Sequence, residues 1–459
     1  MSSSRAFSLR AAEEPERPSG GSVREVATLA APAVLHSLSD TAMQVVDAAI
    51  VGHLGVTELG AVGFASIWVW TLTCGFVGAA SGVQTFVAQE LGAGRDRECR
   101  GWTWQGLYAV LPPAVLAAIA AAFVLDPFFA VLGPSPELRE RAVAYAGARL
   151  WGMPGTVTAM VLASFFRGLG DTRTPLVAAV VANLLNVTLA YGLVFGAFGL
   201  PVWGVAGAGA AMAIASWTGA AVLAVAFRWR SVAAAYATGR VAAHVPAIRR
   251  FLRTSAPIGG QWVLDMASFA LFTSLIAHMG DRSVAASQAL IQLLSLSFMQ
   301  AVGISIAAGA LVGRYVGARD FAAAERSHRS ALALGAGLAL VVGTLLWTIP
   351  DVLLGIFTSD AELVALGRPL LALGAVFQLV DALGIVCNGS LRGAGDTRWP
   401  LLVQATLAWA LRLPLVYLAA VVLQGGVLGA WIGELGFISV LCAAFLARFH
   451  GGAWRRVRI

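Results

Sequence analysis

Asp265, Asp381 and Glu434, together with Arg412, stand in the middle of long apolar runs, where ionised side chains are out of place. At the centre of a membrane helix such a charge costs ~2.5–3.5 kcal/mol on insertion scales, so each marks a functional position. Their depths agree. Counted at ~1.5 Å per residue from the Arg or Pro that ends each run, Asp265 and Arg412 lie ~18 Å in, Asp381 ~16 Å and Glu434 ~21 Å. Charges in one layer can share hydrogen bonds and neutralise one another. Three acids ionised beside one Arg would leave two negative charges uncompensated in low dielectric. That state should take up a cation. Buried carboxyls favour their neutral form and can carry H+ near neutral pH; the oxygens of Asp265 and Asp381 could equally hold Na+.

The first half of the chain has a smaller set. Asp40 corresponds to Asp265 by the repeat described below, and so takes its depth. Asn186 lies ~16 Å from the end of its own run. His36 precedes Asp40 by four residues and shares its helix face, either as a satisfied core histidine or as a neighbour that tunes proton uptake. Asp40, Asp265 and Asp381 are therefore the candidate ion-coupling residues, with His36, Asn186, Arg412 and Glu434 around them. Asp47, near the outer end of its run, reads as structural, and Arg149 as interfacial beside Arg139 and Arg141.

Two copies of one unit position these groups. RGLGDTRTP at 167–175 returns as RGAGDTRWP at 392–400, an offset of 400 − 175 = 225. The same offset pairs Pro32 with Pro257, Asp40 with Asp265, His53 with His278, Gly55 with Gly280 and Gly92 with Gly317. The nonapeptide should form a tight helix-to-helix turn: Gly for the reversal, Asp171 or Asp396 as the next cap, Pro175 or Pro400 in the first turn.

Only 12% of the 459 residues are charged and 58% are hydrophobic, half the charge of an ordinary soluble domain. Apolar segments fall near 26–51, 59–88, 103–132, 141–165, 175–199 and 203–227, then near 253–278, 284–312, 330–350, 362–390, 400–423 and 427–447. Each is long enough to cross a ~30 Å hydrocarbon core. The predicted fold is all-α and membrane-embedded, with twelve transmembrane helices in two six-helix bundles. An even number of spans per copy sends both copies in the same way, so their pseudo-twofold runs along the membrane normal. The formal charge of +7 is carried by Arg alone, with no Lys, and the Arg crowd alternate loops. That distribution predicts cytoplasmic termini and a lipid partner, and sets nucleic acid aside. The expected divisions are a disordered tail at 1–24, one lobe at 25–228, a linker at 229–250, a second lobe at 251–450 and a basic tail at 451–459. The N-terminal stretch lacks the apolar core of a signal peptide. Cys74, Cys99, Cys387 and Cys442 lack metal-ligand spacing and should serve packing.

This combination resembles the multidrug and toxic compound extrusion (MATE) family of secondary transporters over residues 25–450. The matching motifs are DTAMQVVDAAIVGHLG (40–55), TFVAQELGAG (85–94), RGLGDTRTP and DALGIVCNGSLRGAGDTRWP (381–400). The resemblance implies alternating-access efflux of small organic, often cationic compounds in exchange for H+ or Na+, with no other cofactor, across the plasma membrane. It also matches Asp40 to the family's first-helix Asp, and Asp265 and Asp381 to an acidic pair in the second lobe. Ala190 stands four residues after Asn186, where some members carry Asp, so the resemblance places ion coupling in the second lobe. A monomer is expected, and no enzymatic site: the six His form no cluster, and GxxxxGK[ST] is absent. The alternatives are a flippase for lipid-linked saccharides, which should have a basic cavity, or an exporter of an endogenous metabolite. Trp68, Trp70, Trp262 and Phe298 are candidates to contact a lipophilic cation.

Overall fold

The computed structural model describes residues 20–133, 135–355, 360–457 and 459; most of the tail expected at 1–24 lies outside them. The first bundle comprises α1 (Val23–Gly52), α2 (Val56–Gly92), α3 (Glu98–Val131), α4, α5 (Arg173–Phe195) and α6 (Val205–Phe227). Of these, α4 is built from two segments, Pro136–Leu150 and Met153–Gly168. The second comprises α7 (Val245–Ala277), α8 (Asp281–Gly317), α9 (Phe321–Thr348), α10 (Ala361–Gly393), α11 (Arg398–Val422) and α12 (Gly426–His450). Ten of the twelve are long and apolar enough to span a membrane by composition. The exceptions are α1, which carries Asp40 and Asp47, and the divided α4. No strand occurs among the described residues.

Packing between the bundles obeys the repeat residue by residue. Helix α1 lies along α8, and α7 lies along α2. At the first crossing a Cβ on Gly303 would stand 2.6 Å from the Val34 nitrogen. At the second, one on Gly78 would stand 2.8 Å from the Gly259 Cα. These are the same pair, since 303 − 78 and 259 − 34 both equal 225. Further along, Gly92 packs on the Arg314 carbonyl and Gly317 on the Gln89 carbonyl, again at that offset. Backbone can approach backbone this closely only where there is no side chain, which is how small residues join helices in lipid. Amide and hydroxyl side chains tie the same end together. Gln84 Nε2 donates to the Ile306 carbonyl (2.8 Å), Thr85 Oγ1 to that of Arg392 (2.9 Å) and Gln89 Nε2 to that of Gly393 (3.0 Å).

The nonapeptides form the expected turns. Gly170 and Gly395 take φ of +85° and +88°, left-handed values that favour glycine. Asp171 Oδ1 accepts from the backbone nitrogens of Arg173 and Thr174, both at 3.0 Å, and so caps α5. Its counterpart Asp396 is instead buried and paired with Arg448 on α12 (2.8 Å). The segment after α12 is anchored by the fully buried Trp454, stacked on Phe449 with ring centroids 4.9 Å apart.

Helix α11 is the irregular one. Two of its stretches, Ala408–Arg412 and Leu418–Val422, are π-helical. Pro414 lacks an N–H and would press on the carbonyl four residues earlier, so the wide turn before it relieves a clash. It also sets the direction of Arg412.

Candidate functional site

Three of the four second-half charges predicted to share a layer meet directly, and the fourth, Asp381, lies within their electrostatic reach. Arg412 projects from the π turn of α11 and clamps Glu434 of α12 with both ends of its guanidinium: Nε to Oε2 at 2.7 Å and Nη2 to Oε1 at 2.6 Å. Both side chains are only 3% exposed. The remaining nitrogen, Nη1, donates to Ser268 Oγ (2.5 Å) and lies 4.0 Å from Asp265 Oδ1. The rings of Phe269, Phe272 and Phe437 surround the guanidinium at 5.6, 5.8 and 5.1 Å. A planar, bidentate pair in an apolar box is the geometry in which a buried ion pair recovers most of its desolvation cost. Asp381, on α10, has Asp265, Glu434 and Arg412 as its charged neighbours.

A further charge comes from a residue that sequence reasoning assigned to a cytoplasmic loop. Arg392 ends α10 but turns inward, donating Nη2 to Gln261 Oε1 (2.6 Å), and its field reaches Asp265. Gln261 in turn hydrogen-bonds Gln404. Counting Arg392, three carboxylates face two guanidiniums. The excess is one negative charge, where the sequence alone suggested two.

In the first bundle the acid is held differently. His36 Nδ1 stands 3.4 Å from Asp40 Oδ2, and half of the Asp40 side chain is exposed. Asn183, which sequence reasoning missed, sits beside Asp40 and donates to Ser39 Oγ (2.9 Å). Asn186 goes elsewhere: its Nδ2 donates to Asp47 Oδ1 at 2.8 Å. Asp47 is thus a buried partner of Asn186, and Arg149 reaches inward to Tyr145 Oη (3.4 Å) and Met212 Sδ. His36, Asp40, Asn183 and Asn186 all line one cavity of about 210 Å3, together with Arg167. That arginine was also predicted for a loop; it is 6% exposed and points into the bundle.

Among the proposed aromatic contacts, Trp70 and Trp262 face one another across the two bundles at 6.5 Å. Trp68 packs edge-on against Phe128 within the first bundle, a structural role. All four cysteines are buried and free.

Two six-helix bundles about a pseudo-twofold, each with acids at mid-depth, define a membrane transporter rather than an enzyme. The MatE family model matches the chain twice, at residues 32–192 and 257–418. The chain belongs to that family. It is 29% identical to the probable multidrug resistance protein NorM of Thermotoga maritima, over 94% of this chain and 93% of that one. With the probable NorM of Rhodopseudomonas palustris it shares 31% identity, over 93% and 91%. The fold is similar to the outward-facing conformation of a multidrug resistance MATE family transporter of the MOP superfamily, with TM-score 0.87, 19% identity and 95% and 97% coverage.

Proposed function

We propose that this protein is an H+-driven antiporter that exports small organic molecules across the plasma membrane, with both termini cytoplasmic. The observation that carries H+ over Na+ is the position of Arg412. Its guanidinium occupies both oxygens of Glu434 and approaches Asp265, so a fixed cation already fills the place a metal would take among these acids. A metal ion would have to lie against that guanidinium. One proton, by contrast, cancels the single excess charge of the cluster and needs only a carboxyl oxygen to hold it. Tenfold uphill export costs ~1.4 kcal/mol, which one pH unit supplies per proton. The close packing of the bundles lies at the end bearing the Arg-rich loops. Such packing suits a state closed to the cytoplasm, and the reverse state would require these glycine contacts to part.

Counterflow in proteoliposomes under a pH gradient alone, and under an Na+ gradient alone, tests the reading. Uptake of an organic cation should respond to the first and not the second, and Asp381→Asn should transport downhill with no response to pH. An Na+ response in wild type would overturn H+ coupling.

Asp40→Asn should insert and fold normally yet lose most net efflux, because the paired Asp40 and His36 face the cavity with no other acid among the described residues that line it. Efflux from vesicles at the wild-type rate would show that the first-bundle acid is dispensable.

A further inference from the structure

Arg392 and Asp265 are joined by two amides that can be ordered in only one direction. Arg392 Nη2 donates to Gln261 Oε1 at 2.6 Å, Gln261 Nε2 donates to Gln404 Oε1 at 2.5 Å, and Gln404 sits beside the Asp265 carboxyl. A guanidinium donates and never accepts. It therefore holds the Gln261 oxygen, which turns the Gln261 nitrogen to Gln404 and the Gln404 nitrogen to Asp265. Both glutamines are buried, at 2% and 7% exposure, so bulk water offers them no substitute partners. Such a chain is complete only when its far end accepts, and an ionised Asp265 accepts most strongly.

The near end lies where the two bundles join. The Arg392 carbonyl accepts from Thr85 Oγ1 of α2 (2.9 Å), and that of Gly393 from Gln89 Nε2 (3.0 Å). Arg392 Nε has no partner among the described residues, and Gln261 is the side chain there that accepts from the guanidinium. The repeat does not reproduce this arrangement. Gln261 and Gln404 correspond to His36 and Ala179, at 261 − 225 and 404 − 225, and Thr85 to Ala310, at 85 + 225. The amides are an addition to one half, beyond what the shared fold requires.

We propose that Gln261 and Gln404 are positioning residues that carry the protonation state of Asp265 to Arg392, and so to the closure between the bundles. A protonated Asp265 accepts from Gln404 only as a neutral carboxyl, at roughly half the strength. With its O–H turned to Gln404 it demands the reverse order, which sets an N–H of Gln261 against Arg392. Either way the guanidinium is held less well, and the residue whose carbonyl takes Thr85 is freed to move. Proton uptake from outside then favours opening to the cytoplasm, the direction an exporter needs once its substrate has left. The charged groups around Asp265 are Arg412 of α11, Glu434 of α12, and Asp381 and Arg392 of α10. Helices α2, α3 and α8 also pack on α7 but carry charges only towards their ends, and the Cys74 thiol of α2 is turned to the Thr71 carbonyl. This assignment rests on the reading of the chain as an H+-driven antiporter and names the route by which the proton acts.

The test uses the full chain in nanodiscs, with Arg97→Cys and Arg319→Cys carrying spin labels on the Arg-rich loops of the two halves. Distances are measured at about pH 8 and about pH 5, a range in which a buried carboxyl can take up a proton. With both glutamines present, the ratio of long to short distances should rise about tenfold on acidification, the factor by which a hydrogen bond to a charged group exceeds a neutral one. Gln404→Leu cuts the chain and should leave the ratio nearly equal at both pH values. Gln261→Glu gives Arg392 a charged acceptor of its own and should hold the short distance at both. A Gln404→Leu protein that responds to pH in full overturns the proposal, as does a Gln261→Glu protein that opens on acidification. Distances indifferent to pH with both glutamines present, while counterflow of tetraphenylphosphonium still follows a pH gradient, also overturn it and leave the antiporter reading standing. A pH response of the distance that both glutamine variants abolish, in a chain whose counterflow ignores the pH gradient, would keep the relay and remove the antiporter.

Discussion

Glu434→Ala should destabilise the protein by about 3–5 kcal/mol, the usual cost of removing one member of a buried ion pair. Among the described residues, Glu434 accepts two of the three hydrogen bonds that the Arg412 guanidinium donates, and both side chains are only 3% exposed. Once the acid is gone, the guanidinium is left with the Ser268 hydroxyl, an Asp265 oxygen at 4.0 Å and three aromatic faces. The measurement is the unfolding midpoint of detergent-purified protein. The double replacement Arg412→Met with Glu434→Leu should recover most of the loss, since an apolar pair of similar volume often replaces a buried ion pair at little cost. Transport should separate from stability in that double variant. It should remain folded but lose its response to the pH gradient, because Asp265 and Asp381 no longer share a fixed cation. A Glu434→Ala protein as stable as wild type would mean that Asp265 closes on Arg412 as a full substitute.

Gly303→Leu should reduce transport by up to about a hundredfold, through overpacking worth ~1–3 kcal/mol at the bundle interface. The first side-chain atom alone would stand 2.6 Å from the Val34 nitrogen, and backbone on that side cannot rotate away. Gly78→Leu should do the same at the repeat-related crossing, where Gly259 is equally close. Both variants should retain the internal packing of each bundle and fail only where the two halves meet. Spin labels at Arg97 and Arg319, on exposed loops of the two halves, should report a longer distance in either variant than in wild type. Unchanged distances would show that the interface absorbs the leucine without opening.

Much of this architecture is legible in the sequence, for reasons that are physical. A charge inside an apolar run is conspicuous, so Asp40, Asp265, Asp381, Arg412 and Glu434 stand out one by one, and a shared depth suffices to bring the last four together. The repeat likewise survives because turns need Gly and caps need Asp at fixed places. Charges near the end of a run are different. Arg167 and Arg392 have the same count from the turn whether they snorkel to water or fold back into the bundle, and only the partners on other helices decide it. Gln261 and Gln404, which hold Arg392, are uncharged and give no hydropathy signal of comparable strength. The pairing of Asn186 was misjudged by a similar ambiguity. Asp40 and Asp47 lie two turns apart on one face of α1, while Asn183 and Asn186 lie one turn apart on α5. Depth allows either asparagine to meet either acid; the axial register of the two helices sends Asn186 to Asp47. The π turn of α11 has one visible sign, Pro414, but a proline alone does not announce which way the preceding Arg412 will point.

The burial of all four thiols has a practical side. Cys74, Cys99, Cys387 and Cys442 are each within a few percent of complete enclosure, and the chain contains no lysine. Maleimides should find almost nothing to modify on the folded molecule, and amine-directed reagents no side chain at all. Cysteines introduced on the outer loops would then be the sole reactive handles, without first stripping the native ones from the packed interior. For a protein proposed to work by a change of distance between two halves, the native chain is already a quiet background for fluorophores and spin labels.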